Sequence, residues 1–312
     1  MTRPLISIIV PSYNSAHFVR QALDSAFAQT YRPIEVIVVD DGSTDDTADV
    51  LRPYMDRIIY VRQDNRGLAG ARNSGLRAAS GELIALLDAD DVWLEEHLES
   101  GYQALASVPD AALVHSEVYY WDAATGERTR RDVPRHSYQG DCYLQLFARN
   151  TIIPSTLLFR RACYDLHGGF DESFRRCEDW DFALRMARHY RFAYNDDPRV
   201  LYRVHSASLS SNAVKMRESD LVVLRKALGA DPALGRRLGR GAVRRKLFGV
   251  TFGLGYGYFR EGNYREARRF LNQALRERPY SLRALALWWM TWFSPPTVER
   301  VLRWKQPPGE TQ

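Results

Sequence analysis

Leu5-Ile-Ser-Ile-Ile-Val-Pro-Ser-Tyr-Asn14 is a short β-branched run that stops at a proline and gives way to polar residues. A near-continuous apolar run of this length reads as a strand buried on both faces. The pattern then repeats along the chain. Residues 15–28 carry Phe18, Ala22, Leu23, Ala26 and Phe27 at helical spacing, and residues 34–39 form a second apolar run closed by Asp40, Asp41, Gly42 and Ser43. A helix is expected over 44–51 with Ser43 or Thr44 as its N-cap. A third strand is expected at 58–61, a third helix at 69–79 and a fourth strand at 83–87. This alternation defines the fold class as α/β, a Rossmann-like sheet with helices on both faces.

From about residue 110 the rhythm changes. Strands are predicted at 112–120, 156–159, 192–194 and 200–202, extending the first sheet into a mixed one. A loop and helix are expected over 137–147 and a helix over 179–187. After residue 218 the strands stop and helical, Arg-rich sequence takes over. Two domains are therefore expected, 1–217 and 218–312, with the helical one packed on the sheet.

Composition narrows the class. With 312 residues, 45% hydrophobic and 26% charged, the chain can bury a large core, which excludes disordered, collagen-like and fibrous proteins. Cys142, Cys163 and Cys177 are its three cysteines and form no CxxC pair. A disulfide framework and a sulfur-ligated zinc site are thus excluded, and a reducing cytoplasm is expected. The N-terminal run is too short for a signal-peptide core, and no window holds the ~20 apolar residues of a spanning helix. The net charge of +5 hides an asymmetry: residues 1–224 carry −7 and residues 225–312 carry +12. A basic tail fits nucleic acid, anionic lipid or a solvated helical face. No nucleic-acid-reading motif accompanies it, so no nucleic-acid partner is expected.

In doubly wound sheets ligands bind beyond the carboxyl ends of the strands. Here those ends read Pro11-Ser-Tyr-Asn14, Asp40-Asp-Gly-Ser43 and Asp88-Ala-Asp-Asp91. A nicotinamide site would need G-x-G-x-x-G directly after the first strand; Gly67, Gly70 and Gly75 have the wrong spacing and follow the third. Asp88 and Asp90, two residues apart at a strand end, can face a shared hard cation beside a diphosphate, or can be solvated turn residues.

Taken in order, Ser7-Ile-Ile-Val-Pro-Ser-Tyr-Asn14, Val39-Asp-Asp-Gly-Ser-Thr-Asp45, Asn65-x-Gly67 with Ala71-Arg-Asn-x-Gly75, and Gly81-Glu82 leading to Leu87-Asp-Ala-Asp-Asp91 resemble the signature of the inverting glycosyltransferases of family two. Gly168-Gly-Phe-Asp-Glu172, Glu178-Asp-Trp-Asp181 and Tyr202-Arg-x-His205 continue it, so the resemblance covers roughly residues 5–215. It implies a GT-A fold, a nucleoside diphosphate sugar donor and a divalent metal, Mg²⁺ or Mn²⁺. It implies that Pro11 and Tyr13 line the nucleoside pocket, that Asp41 hydrogen-bonds the base and that Asp88 lies near the ribose or sugar. Asp90 is implied as a metal ligand, with His205 completing the shell. Asp179 is implied as general base, taking the acceptor hydroxyl proton as attack proceeds; Glu178, Asp179 and Asp181 can equally cap their helix. Trp180 supports the acceptor or packs. Arg72 reaches the nucleotide or diphosphate, or snorkels from a helix face. Selectivity is expected in residues 119–147 and the C-terminal helices.

Leu254-Gly255, Tyr258, Gly262, Tyr264, Ala267, Leu271, Ala274 and Pro279 fall at the spacings of one tetratricopeptide unit, about residues 248–281. One unit cannot stand alone, so it caps the enzyme or recruits a partner. Trp288, Trp289 and Trp292, followed by Arg300, Arg303 and Lys305, suit a membrane interface or a third packed helix. The expected function is transfer of a sugar to a glycan or lipid-linked hydroxyl in bacterial surface polysaccharide or glycolipid assembly. Such an enzyme would be cytoplasmic and peripheral at the inner face of an anionic membrane. The alternative is a catalytically inactive nucleotide-sugar-binding scaffold acting through its helices.

Overall fold

Every residue of the first strand, β1 (Ile6–Ser12), is buried, which places apolar cover on both faces of the sheet it nucleates. The computed structural model describes residues 3–130, 138–205 and 212–293, and the chain divides into two compact units between residues 211 and 212. In the first unit, β1 is followed by α1 (Val19–Phe27), β2 (Ile34–Asp40), α2 (Thr47–Leu51), β3 (Ile59–Arg62), α3 (Gly67–Ala78) and β4 (Leu83–Leu86). Then come β5 (Val92–Trp93), α4 (His97–Ala106), β6 (Ala111–Ser116), β7 (Tyr119–Trp121), β8 (Arg128–Arg130) and α5 (Tyr143–Ala148). The unit closes with β9 (Leu158–Arg160), α6 (Arg161–His167), α7 (Glu178–Ala187), β10 (Arg191–Asn195) and β11 (Val200–Arg203).

Seven strands form the main sheet in the order β10-β6-β9-β4-β1-β2-β3. β1 is parallel to both β2 and β4, with Ser12 opposite Asp40 and Ile9 opposite Leu86. The chain builds outward through β2 and β3, then returns to β4 on the other side of β1. The β1/β4 junction is therefore a topological switch point, where a crevice opens at the strands' carboxyl ends. β9 runs antiparallel between β4 and β6, which makes the sheet mixed. Gly75 lets α3 close on β1: a Cβ there would lie 2.4 Å from Ile9 Cγ2.

A second sheet, β5-β11-β7-β8, corrects two expectations. The single strand predicted at 112–120 is two strands in different sheets, because the ladder with β10 ends at Ser116, opposite Asn195, and polar Glu117 leaves it: Ser116 Oγ donates to the Glu117 carbonyl and Tyr194 Oη to the Glu117 carboxylate. The strand at 200–202 pairs with β5 and β7 instead of widening the main sheet. The N-cap of α2 is also displaced, to Asp46, since Ser43 and Thr44 are engaged by Asn14.

The second unit is helical: α8 (Ala213–Ala230), α9 (Leu234–Leu238), α10 (Arg240–Arg260), α11 (Tyr264–Glu277) and α12 (Leu282–Met290). Asn212 caps α8 by accepting from Lys215 N, so a boundary at 217/218 would cut through that helix. α10 and α11 form the hairpin read from the sequence. Gly262 turns it at φ +75°, and Gly255 allows contact, since a Cβ there would meet Leu271 Cγ at 2.6 Å. Phe259, Ala267, Leu271, Ala284 and Leu287 form its core; a fully buried Leu such as Leu271 contributes about 2 kcal/mol. Residues 294–312, with the expected Arg300, Arg303 and Lys305, lie outside the described residues.

Candidate active site

Parallel pairing of β1, β2 and β4 puts the ends of all three strands on one edge, and the polar loops there hold one another. Asn14, at φ +49°, donates its N–H to Ser43 Oγ at 3.0 Å and accepts from Thr44 N at 2.8 Å. Ser15 N and Ala16 N donate to Thr47 Oγ1 and Asp45 Oδ2. Much of the first two motifs is thus a lock between loops. Pro11 lies buried within β1, whereas Tyr13 is half exposed on the rim, where its ring can meet a planar base.

Asp41 is buried and accepts three hydrogen bonds: from Gln63 Nε2 at 2.6 Å, Arg66 N at 2.9 Å and Gly67 N at 2.8 Å. It fastens the β2 loop to the start of α3, and of roughly four carboxylate acceptor positions one remains. Gly42, at φ +80°, suits the tight turn beside it, where a Cβ would meet Asn65 N at 3.0 Å.

Arg72 does not snorkel. Its side chain is completely buried on α3, with Nη2 donating to Asp88 Oδ1 at 2.7 Å and Nη1 to Glu178 Oε1 at 2.6 Å. The guanidinium carbon lies 5.4 Å from the Phe170 ring centroid, and Nε has no partner. Phe170 is fixed in turn: Asn73 donates to its carbonyl and accepts from its N–H, both at 2.8 Å. Gly169 makes room for that clasp, because a Cβ would fall 2.3 Å from Asn73 Oδ1. The Gly168-Gly-Phe motif thus builds a wall behind Arg72.

Asp179 follows Glu178 in the first turn of α7, which Cys177 enters in the left-handed conformation at φ +61°, a backbone cost on the order of 1 kcal/mol. Asp179 is half-buried as a residue, and packing around its carboxyl removes most of its hydration. Burial, then the neighbouring Glu178 carboxylate, raise its pKa to about 7 against the pull of Arg72 and a hydrogen bond from Trp180 N. Trp180 itself packs: it is buried, and its indole N–H donates to the Leu146 carbonyl at 2.9 Å. Asp181 pairs with Arg185 at 2.9 Å.

Asp90 and His205 are brought together across 115 residues, with Nε2 2.9 Å from Asp90 Oδ2. Burial and the nearby Asp88 raise the Asp90 pKa, with His205 opposing. Among the described residues no group of three His, Cys, Asp or Glu side chains is arranged around one point. A hard carboxylate beside a borderline imidazole fits a divalent ion, Mn²⁺ more readily than Mg²⁺, whose remaining positions are filled by diphosphate oxygens and water.

Sequence reasoning gave no role to Asp91, Ser155 or Arg203. Buried Asp91 accepts from Ser155 Oγ at 2.5 Å and Arg203 N at 3.0 Å, and Ser155 Oγ accepts from Asp88 N at 3.1 Å. Arg203 Nε donates to the Asp90 carbonyl at 2.7 Å, with its guanidinium 4.2 Å from the Trp121 ring centroid. These residues hold the Asp88–Asp91 loop. Arg203 and Asp91 sit inside quoted motifs, a signal that was available; Ser155 had none.

A mixed sheet with its switch point between β1 and β4, rimmed by carboxylates, is an α/β enzyme scaffold with its ligand crevice at the strands' carboxyl ends. Residues 7–167 match the family model for glycosyl transferase family 2. An uncharacterised glycosyltransferase of Rickettsia prowazekii is 30% identical over 221 residues, covering 69% of each chain. YwdF of Bacillus subtilis, named as an uncharacterised glycosyltransferase, is 31% identical over 67% of this chain and 77% of its own. Among solved structures, Staphylococcus aureus TarS 1–349 in complex with UDP-GlcNAc superposes with a TM-score of 0.67 at 21% identity, covering 97% of this chain and 93% of that one. The mannosyltransferase PcManGT of Pyrobaculum calidifontis, in complex with GDP-Man and Mn²⁺, gives 0.64 at 23%, covering 98% and 82%. The chain belongs to glycosyltransferase family 2, and its fold is GT-A.

Proposed function

We propose that this glycosyltransferase moves a sugar from a nucleoside diphosphate donor to a hydroxyl acceptor with inversion, assisted by a divalent metal. The observation that carries the reading is the Asp179 carboxyl with a pKa raised to about 7, set beside the Arg72-held Asp88 at the switch point. A carboxylate of that basicity suits proton abstraction near neutral pH. The acceptor oxygen forms a bond to the anomeric carbon, the bond to the diphosphate oxygen breaks on the opposite face, and the hydroxyl proton passes to Asp179. Tyr13 and Pro11 line the nucleoside seat, Asp41 offers its remaining acceptor position to a base N–H, and Asp88 faces the ribose or sugar. Arg72 acts through Asp88. Asp90 and His205 would hold Mg²⁺ or Mn²⁺, which when bound neutralises diphosphate charge.

Two neighbours support the donor class and the metal, TarS with UDP-GlcNAc and PcManGT with GDP-Man and Mn²⁺. The inactive-scaffold alternative gains nothing from a desolvated carboxylate crowded by another, which costs stability. A glycan or lipid-linked acceptor in surface polysaccharide or glycolipid assembly, at the cytoplasmic face of an anionic membrane, completes the proposal. An exposed stripe of Leu282, Ala286 and Trp289 on α12, continued by Phe293 just beyond it, supports the membrane position.

The decisive experiment incubates the protein with UDP-GlcNAc and GDP-mannose, with Mn²⁺ or with chelator, and measures nucleoside diphosphate release and thermal shift. Metal-dependent release and a raised melting temperature are expected, because ligand binding to the native state stabilises it. No shift and no release across a wider donor panel would favour the scaffold.

A further inference from the structure

We infer that Arg72 is the positioning residue that couples the donor side of the cleft to the base side, through a buried Asp88–Arg72–Glu178 bridge that sets the place and the charged surroundings of Asp179. The inference deepens the proposed function and rests on Asp179 being its base. Asp88 follows β4 by two residues, Glu178 begins α7 90 positions later, and one guanidinium joins the two, at 2.7 and 2.6 Å. The planar fork fixes direction as well as distance. Glu178 is held within the first turn of α7, so its neighbour Asp179 is held with it. Arg72 is itself immobilised by complete burial and by the Phe170 wall that Asn73 clasps.

The bridge is unbalanced in charge. The charged groups facing the Asp179 carboxyl are Glu178 on its own helix, Arg72 from α3 and Asp88 from just after β4. One buried cation thus serves three carboxylates. Burial raises the proton affinity of Asp179 first; Glu178 pushes it further up and Arg72 limits the rise. A purely structural arginine would tie the elements together without this effect on a third group.

The test is a pH titration of the Asp179 carboxyl by NMR in protein carrying ¹³C at Asp side-chain carboxyls, its resonance assigned by its loss in Asp179→Asn. Metal-free wild type, Glu178→Gln, Arg72→Lys and Arg72→Met are compared. The resonance should move its midpoint to lower pH in Glu178→Gln, which keeps an acceptor for Arg72, and to higher pH in Arg72→Met. Arg72→Lys, which keeps the charge and loses the fork, should hold the midpoint near wild type. Its nucleoside diphosphate release from UDP-GlcNAc or GDP-mannose, whichever is turned over, should fall at least ~10-fold in kcat, the loss expected from a misplaced reacting group. An unmoved midpoint in Glu178→Gln overturns the inference even if Arg72→Met fails to fold, and so does wild-type kcat in Arg72→Lys. Full turnover by Asp179→Asn would instead overturn the base assignment, whatever the titrations show.

Discussion

At the residue scale, the Asp179 carboxyl sits in surroundings an exposed turn would not give it, with burial and Glu178 both raising its pKa. A general base works ionised, and its pKa of about 7 means that kcat/KM should rise with pH through that value and flatten above it. Asp179→Asn should lose roughly 10²–10⁴ in kcat while donor affinity stays within about threefold, measured by calorimetry with a slow-turnover donor. The same burial predicts a stability effect of opposite sense. An acid whose pKa is raised on folding loses stability as pH climbs from the unfolded value, near 4, to the folded one, and carries the full penalty above it. Asp179→Asn removes that penalty, roughly 2–4 kcal/mol. Its melting temperature should exceed wild type at pH 8 and match it near pH 4; equal melting at both would show that the wild-type carboxyl is not strained.

At the element scale, the loops matter because α3 and α7 are positioned by what crosses between them. Gly169→Ala would drive a methyl into Asn73 Oδ1, which cannot swing away without releasing the Phe170 N–H and carbonyl. Overpacking of this kind costs about 1–3 kcal/mol. Turnover should fall as well, since Phe170 backs Arg72. Gly255→Ala, crowding Leu271 in the helical unit, should lower stability by a similar amount and leave donor turnover alone. Urea midpoints beside turnover rates separate the two.

The same contrast explains what could be read in the sequence. β1, β2 and β4 were legible because burial on both faces writes itself as a β-branched run, and the carboxylates that end them mark the site edge. Asp90 and His205 were joined only through motif resemblance, since nothing local announces a contact across 115 residues. The bond from Arg203 N to Asp91, the Ser155 link and the two-sheet split at Ser116–Glu117 arise from tertiary partners that no periodicity encodes. Arg72 shows the limit most clearly: its helical spacing allowed either exposure or ligand contact, and the structure buries it between two acids.

At the scale of the whole molecule, charge is partitioned by unit, −7 over residues 1–211 and +12 over residues 212–312. Carboxylates gather where metal, nucleotide and proton are handled; arginines gather on the helices. Among the described residues no helix is long and apolar enough to cross a membrane, yet α12 does not bury all of its apolar surface. Ala284 and Leu287 face the helical core, while Leu282, Trp289, Trp292 and Phe293 are exposed. The Arg268 guanidinium lies 4.5 Å from the Trp292 ring centroid, and Arg265, Arg269 and Arg276 are exposed along α11. Indole rings beside cations are the chemistry of the headgroup region, where aromatic insertion and attraction to anionic lipid add. The protein should therefore co-sediment with vesicles containing phosphatidylglycerol and only weakly with pure phosphatidylcholine. Binding should weaken as salt shortens the screening length. The double substitution Trp289→Ser, Trp292→Ser should abolish sedimentation without altering nucleoside diphosphate release from a soluble donor and acceptor. Equal binding to both vesicle types would remove the electrostatic half of the argument, and unchanged binding by the double variant would remove the aromatic half.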